Sequence, residues 1–289
     1  MMMRKQVKLA AVIFVMAAAG SMAQGQVVRS GAAANAAGIQ SAVDTFRADL
    51  GTLNGNLPQS FVGGRREINW DAVPDAFSSP NAFPGNFFNG NVAGRARGVV
   101  FSTPGSGFQV SANATNPTSA PVDFGNIDGS YTGQFAPFSA QRLFSSVGST
   151  VTDYVFFVPG TNTPATSRGF GVVFSDVDLA GSASVELFDI ANNLLGRFDA
   201  PASGIGQEGF SFVGISYADP VIATIRIHSG TIAIGAGVVE QPDATVFPSD
   251  VVVMDDFIFG EQVAVPTPGA ALLVGMGMVA GGARRRRAN

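Results

Sequence analysis

The feature that most constrains this chain is a series of short segments in which apolar and polar residues alternate. In residues 223–228, for example, the odd-numbered positions are apolar and the even-numbered positions are polar. Because successive side chains of a strand point to opposite faces, this pattern predicts half-buried β-strands. The predicted strands cover residues 98–102, 107–111, 151–158, 168–177, 184–190, 194–199, 209–217, 223–228 and 250–260.

Turn signals separate these strands. Pro159-Gly160 interrupts the alternation, and Asn192-Asn193 favours a hairpin because asparagine tolerates positive φ. A parallel sheet would instead need strands that are apolar throughout. We therefore predict a mostly β chain whose antiparallel strands form a β-sandwich or jelly roll over residues 98–262.

One helix is predicted before the strands. Ile39, Val43, Phe46 and Leu50 are spaced by four, three and four residues, which places them on one face of a helix. This amphipathic helix belongs to a predicted lead, residues 24–97, that is otherwise rich in loops. We expect the helix to lean on the β domain.

The first 23 residues have the composition of a secretory signal peptide. A basic start with Arg4 and Lys5 precedes an apolar stretch at 9–19, and the small residues Ser21 and Ala23 suit signal peptidase. We therefore predict that signal peptidase removes residues 1–23. The exported chain would then begin at position 24, outside the inner membrane.

The last segment, residues 263–289, combines three features in a fixed order. A proline motif is followed by 15 uncharged residues, 269–283, and then by four consecutive arginines. Fifteen helical residues span about 22 Å, so the stretch predicts a short C-terminal membrane helix whose arginines stay in the cytoplasm. The motif residues are Val265, Pro266, Thr267 and Pro268, and the arginines are Arg284, Arg285, Arg286 and Arg287.

This three-part order resembles the PEP-CTERM sorting segment of bacterial exported proteins. Thr267 stands where that segment usually has an acidic residue between its two prolines, so the motif departs from the family pattern there. The resemblance implies recognition and cleavage by an exosortase-type membrane protease, followed by placement at the cell surface or in the extracellular matrix. A plain C-terminal membrane anchor is the alternative.

The two end segments carry much of the basic charge. Without Arg4, Lys5, Lys8 and the four terminal arginines, the body has 10 arginines, no lysine and 21 acidic residues, a formal net charge of −11. Nucleic-acid binding needs a clustered basic surface, so we predict no nucleic-acid partner. The sequence contains no cysteine, which excludes disulfides and thiolate metal sites.

Two pairs of aspartates in predicted strands indicate a cation site. Asp176 and Asp178, two residues apart, would point to one face of a strand, and Asp255 and Asp256 lie in the last strand. That strand, MDDFIF, resembles the closing strand of extracellular sandwich modules, and the resemblance implies that an acidic residue there helps to hold a structural Ca²⁺. The alternative is that all four aspartates are solvated at strand ends. No other cofactor is predicted.

Trp70 is the only tryptophan, and charged residues surround it in the sequence. In one interpretation the indole belongs to the core and an arginine–carboxylate pair packs on it. In the other, Trp70, Arg65 and Arg66 form a sugar-binding surface, with exopolysaccharide as the partner. The segments FRADLG (46–51) and GRREINWD (64–71) resemble a family of secreted bacterial proteins that has no assigned function.

Catalytic motifs are weak in this sequence. His228 is the only histidine and ends an alternating strand, and no Gly-x-Ser-x-Gly elbow is present. We therefore predict a noncatalytic exported protein of the cell surface or extracellular matrix. Two alternatives stay open, a carbohydrate-binding module and a glycan hydrolase that uses a pair of carboxylates.

Overall fold

The computed structural model describes residues 25–204, 206 and 208–266. These residues form two large antiparallel sheets, one pair of short strands, one α-helix and two short 3₁₀ helices. The helix α1 covers Ala36–Leu50, and the strands are β1 (Gln26–Ala33), β2 (Arg65–Ile68), β3 (Val99–Ser102), β4 (Gly107–Val110), β5 (Phe144–Val147), β6 (Val151–Phe156), β7 (Ala165–Thr166), β8 (Gly169–Ser175), β9 (Ala183–Phe188), β10 (Leu194–Asp199), β11 (Phe210–Tyr217), β12 (Thr224–Ser229), β13 (Val253–Gly260) and β14 (Val263–Ala264).

The strand order defines a larger and a smaller sheet. The larger sheet runs β1-β11-β8-β13-β5-β4, and β2 also pairs with β13. The smaller sheet runs β10-β9-β12-β6-β3, and β14 pairs with β7. All of these strand pairings are antiparallel. The prediction of a mostly β chain with antiparallel strands and one N-terminal helix is therefore confirmed.

The two sheets share one hydrophobic core that is rich in aromatic rings. Side chains from β8, β11 and β13 meet side chains from β6, β9 and β12 in a single buried cluster. Trp70 lies at one end of this cluster, stacked on Phe144 with ring centroids 4.0 Å apart and edge-on to Phe257. The alternating sequence pattern thus divides the side chains of these strands between the core and the outer faces.

The helix α1 packs on the outer face of the larger sheet. The side chain of Asn35 caps its first turn by accepting a hydrogen bond from the backbone N–H of Gly38. The predicted apolar face is fully buried against the sheet. Glycines at positions 171 and 214 make room for Phe46, because a Cβ added at Gly171 would lie 2.6 Å from the Phe46 ring.

The N-terminal lead differs from the prediction. Residues 24–97 were expected outside the β domain, but β1 and β2 are strands of the larger sheet. The strand β1 pairs with β11 along its whole length and lies beneath α1, where Gly31 approaches Ala42. Small residues are needed at such a close contact, so β1 lacks the apolar alternation that reveals the other strands.

The predicted terminal segments fall largely outside the described residues. This applies to the signal peptide (1–23), to the membrane helix (269–283), to Thr267 and Pro268, and to the four terminal arginines. Val265 is described, and its N–H donates to the carbonyl of Pro164. Across residues 25–204, 206 and 208–266, no helix has both the length and the apolar character needed to cross a membrane.

Candidate metal centre

A group of carboxylates lies at the end of β8, where a long loop approaches it. The strand β8 ends at Ser175, and the backbone then turns at Asp176, whose φ of 70° is in the left-handed region that aspartate tolerates. The loop between β12 and β13 supplies Glu240. One carboxylate oxygen from each of Asp176, Asp178 and Glu240 lies within 4.8 Å of the other two.

These carboxylates are buried without cationic partners. Asp176 has no exposed surface, Asp178 is 6% exposed and Glu240 is half-buried. Neither carboxylate oxygen of Asp176 has a hydrogen-bond partner among the described residues, and the same holds for one oxygen of Asp178. Within the described chain, no arginine or histidine forms an ion pair with any of the three.

A fourth buried carboxylate, Asp250, fixes the loop that carries Asp178. Its Oδ2 accepts hydrogen bonds from the backbone N–H groups of Asp178 and Leu179, at 3.1 and 3.0 Å, and from the hydroxyl of Ser182. Its Oδ1 has no partner among the described residues. Asp250 therefore positions one ligand of the group and adds negative charge beside it.

The surroundings favour the protonated form of each acid. Burial, then repulsion from Glu240 and Asp178, raises the pKa of Asp176 to about 9. Burial also raises the pKa of Glu240 to about 7 and that of Asp178 to about 6, and repulsion from Asp250 adds to both shifts. The four acids are thus placed where no ion pair with a described arginine or histidine stabilises their charged forms.

One uncharged polar side chain also points into this group. Gln134, at the end of the second 3₁₀ helix (Gly129–Gly133), is 3% exposed, and its Nε2 has no hydrogen-bond partner among the described residues. Its amide approaches Asp176 closely enough to lower the pKa of that carboxyl against the effect of burial. An amide in this position can present its oxygen to a cation after a half-turn about its last torsion.

The prediction that Asp255 and Asp256 join the same site is wrong. The carboxylate of Asp255 accepts hydrogen bonds from the backbone N–H groups of Phe138 and Ser139, and Asp256 pairs with Arg47 at 3.0 Å. The hydroxyl of Ser139 also lies within hydrogen-bond distance of both aspartates. Protein donors therefore satisfy this pair, because the irregular register of β13 directs it toward α1 and the 138–139 turn.

Trp70, Arg65 and Arg66 do not form an exposed sugar platform. Trp70 is 1% exposed and donates its indole N–H to the carbonyl of Asp255 at 2.8 Å. Arg66 is fully buried in a two-pronged ion pair with Glu261. The structural interpretation of Trp70 as a core residue is therefore confirmed, although none of the described arginines is stacked on its indole.

Sequence reasoning found only half of the carboxylate group. Asp176 and Asp178 were predicted from their spacing, but they follow β8 and do not lie within it. Glu240, Asp250 and Gln134 were missed because the β12–β13 connection supplies the first two and a 3₁₀ helix end supplies the third, and only the tertiary fold brings these segments to Asp176. The one signal available was the clustering of acidic residues with glycine and proline in 235–250, which is common in loops generally.

Comparisons with known proteins place this chain in no family. No family model matches the sequence, and no curated protein matches it. Among solved structures, the enzymatically active domain of tailspike protein 4 of bacteriophage CBA120 is similar over 54% of this chain at 13% identity, with a TM-score of 0.17. This chain spans 21% of the length of that tailspike chain, and so low a score carries no argument about fold or activity.

Proposed function

We propose that this chain is a noncatalytic exported protein of the cell surface or extracellular matrix, built as a β-sandwich and sorted by its C-terminal segment. Burial of the acidic centre carries the proposal. A carboxylate that hydrolyses a polymer must contact it, whereas Asp176 and Asp250 have no exposed surface. Such a centre can hold loops together but cannot meet a glycan chain.

The boundaries of the folded body also support export. The strand β1 begins at Gln26, two residues after the predicted mature start at Gln24. The strand β14 ends at Ala264, directly before the proline motif that begins at Val265. The two large sheets, whose strands run from β1 to β13, therefore lie between the two segments that signal peptidase and exosortase would remove.

Localisation in a bacterium that contains an exosortase tests this proposal. The full-length chain should be recovered outside the inner membrane, shortened at both ends when intact mass is measured. A variant lacking Arg284–Arg287 should stay unprocessed or in the membrane, because the arginines hold the tail in place. Its thermal unfolding should match that of the full-length chain, and normal processing of the truncated variant would contradict the proposal.

A carbohydrate-binding module is a second candidate, and one observation favours it. The outer face of the smaller sheet contains a hollow of about 280 Å³ beside Phe188, a half-buried aromatic ring. Arg226 on β12 forms an ion pair with Asp153 and lies beside Glu186 on the next strand. An aromatic ring next to planar hydrogen-bonding groups is suited to one sugar unit of a polysaccharide.

Polysaccharide binding by paired variants tests this second candidate. If the hollow binds sugar, Phe188→Ala should weaken binding about tenfold, while Phe247→Ala, a change at an 89% exposed ring elsewhere, should not. Equal binding by both variants would contradict the proposal. Release of reducing ends in the same assay would instead support the glycan hydrolase alternative.

A further inference from the structure

We propose that Asp176, Asp178 and Glu240 bind one Ca²⁺ ion that ties the loop before β13 to the end of β8. The site was only half anticipated by the sequence, since Glu240 replaces the predicted pair in β13. The inference depends on the geometry of the described residues and is independent of whether the chain is exported.

The spacing of the oxygens fits a calcium shell. Calcium–oxygen bonds are about 2.3–2.6 Å long, so two ligands on opposite sides of the ion lie about 4.6–5.2 Å apart. One carboxylate oxygen from each of Asp176, Asp178 and Glu240 lies within 4.8 Å of the other two. One ion can therefore contact all three without a change in the backbone.

Unpartnered polar groups point independently to a ligand at this place. Both oxygens of Asp176 and the Nε2 of Gln134 lack hydrogen-bond partners among the described residues, although both side chains are almost fully buried. Leaving buried polar groups without partners is costly, and native structures rarely do so. A cation gives the Asp176 oxygens their partner, and Gln134 can turn its amide oxygen toward the same ion.

The concentration of acidic groups at the site also favours a cation. Asp250 lies beside the three ligands and keeps its Oδ1 unpartnered. Its other oxygen is held by two backbone N–H groups and a hydroxyl, so it cannot turn away from the site. A divalent ion offsets two of these charges in one step, whereas hydrogen bonds within the group offset none.

The donor set selects calcium over other common metals. All available donors are oxygens, and neither histidine nor cysteine belongs to the cluster. Zinc and the heavier transition metals prefer nitrogen and sulfur ligands. Magnesium demands a near-ideal octahedron and retains several waters, which a largely buried group of carboxylates accommodates poorly.

Binding at this site would fix a long loop. Glu240 belongs to the connection between β12 and β13, where it accepts a hydrogen bond from the N–H of Val251 at 3.3 Å. The same connection is held near its start by Tyr131, whose hydroxyl bonds to the backbone of Gly235 and Val238. Calcium would add a further anchor point at Glu240, so the loop should resist proteolysis when the ion is bound.

Thermal unfolding of the full-length chain tests the proposal. With millimolar Ca²⁺, the melting temperature should rise by at least about 4 °C over its value in chelator, because the ion binds only the folded state. Mg²⁺ at the same concentration should produce less than half of that rise. No rise with Ca²⁺ would overturn the proposal, and an equal rise with Mg²⁺ would overturn the choice of calcium.

Three variants locate the effect. Asp176→Asn should abolish the response to Ca²⁺, and in chelator it should melt at or above the wild-type temperature, because it removes a buried carboxyl group that has no partner among the described residues. Glu240→Gln should also abolish the response while leaving the strands intact. Asp243→Asn, an exposed change in the same loop, should respond like the wild type. A full response in either Asp176→Asn or Glu240→Gln would overturn the assignment of the site.

Discussion

Two regions of this protein bury charged side chains, and they differ in whether the protein itself supplies a partner for each charge. Arg66 and Glu261 are both fully buried, and each carboxylate oxygen of Glu261 contacts the guanidinium. Arg66 also donates to backbone carbonyls, including those of Ala96 and Gln59. At the end of β8, Asp176 is equally buried, but its carboxylate has no hydrogen-bond partner among the described residues.

The difference separates charges that the protein neutralises itself from charges that need an added ion. Arg66 joins β2 to the 55–59 loop, to Ala96 and to Glu261, so its removal should damage the fold directly. The carboxylates around Asp176 repel one another, so removal of one charge should help the ion-free protein.

Arg66→Ala should produce the largest loss of stability. The change leaves Glu261 buried and unpaired, which typically costs about 3–5 kcal/mol of unfolding free energy. Urea unfolding followed by tryptophan fluorescence measures this, since Trp70 lies in the core.

The matched control is Arg226→Ala on the outer face of the smaller sheet. Its ion pair with Asp153 is partly exposed, so the expected loss is about 0–1 kcal/mol. Equal losses for the two variants would contradict the claim that the buried Arg66–Glu261 pair matters more for stability than the partly exposed Arg226–Asp153 pair.

Asp255→Ala should cost about 1–3 kcal/mol, because the backbone N–H groups of Phe138 and Ser139 lose their acceptor. The sign is opposite to that expected for Asp176→Asn in chelator, although both residues are fully buried. Chemical unfolding in chelator compares the two variants. An unchanged unfolding free energy in Asp255→Ala would contradict the claim that these N–H groups stabilise the fold through the Asp255 carboxylate.

The smallest effect concerns pH. Burial, and secondarily repulsion from Asp256, raises the pKa of Asp71 to about 6, above its unfolded value near 3.8. The folded state therefore keeps this proton longer, and stability from this group is greatest below about pH 4 and declines as pH rises to about 6. Since Asp71 is partly solvated, we expect a decline of about 1 kcal/mol.

Unfolding free energies at pH 4 and pH 7 test this decline. The difference between the two pH values should be smaller in Asp71→Asn than in the wild type, because the variant lacks the titrating group. Asp199→Asn, which changes an exposed aspartate, serves as the control. An Asp71→Asn variant with an unchanged pH dependence would contradict the prediction.

The sequence revealed those parts of the fold that depend on local periodicity. The helix face of Ile39, Val43 and Phe46 and the alternating strand at 223–228 follow directly from spacing, and both are present. The strand β1 was missed because close packing beneath α1 requires small residues there. Its pairing with β11 joins positions nearly 190 residues apart, and no local pattern reports such a contact.

The candidate site was harder to predict for the same reason. Asp176 and Asp178 are close in the sequence, so their proximity in space could be anticipated. Glu240 comes from a loop more than 60 residues later, and Gln134 from a turn about 40 residues earlier. Asp255 and Asp256 looked equally suitable in the sequence, and only the donors around them show that they need no ion.

The most direct test of the central claim is calorimetric titration of Ca²⁺ into the chelator-treated, dialysed full-length chain. We predict one bound Ca²⁺ per chain for the wild type and for Asp243→Asn, and no binding for Asp176→Asn. Absence of binding to the wild type, or unchanged binding to Asp176→Asn, would contradict the claim that these buried carboxylates are satisfied by calcium.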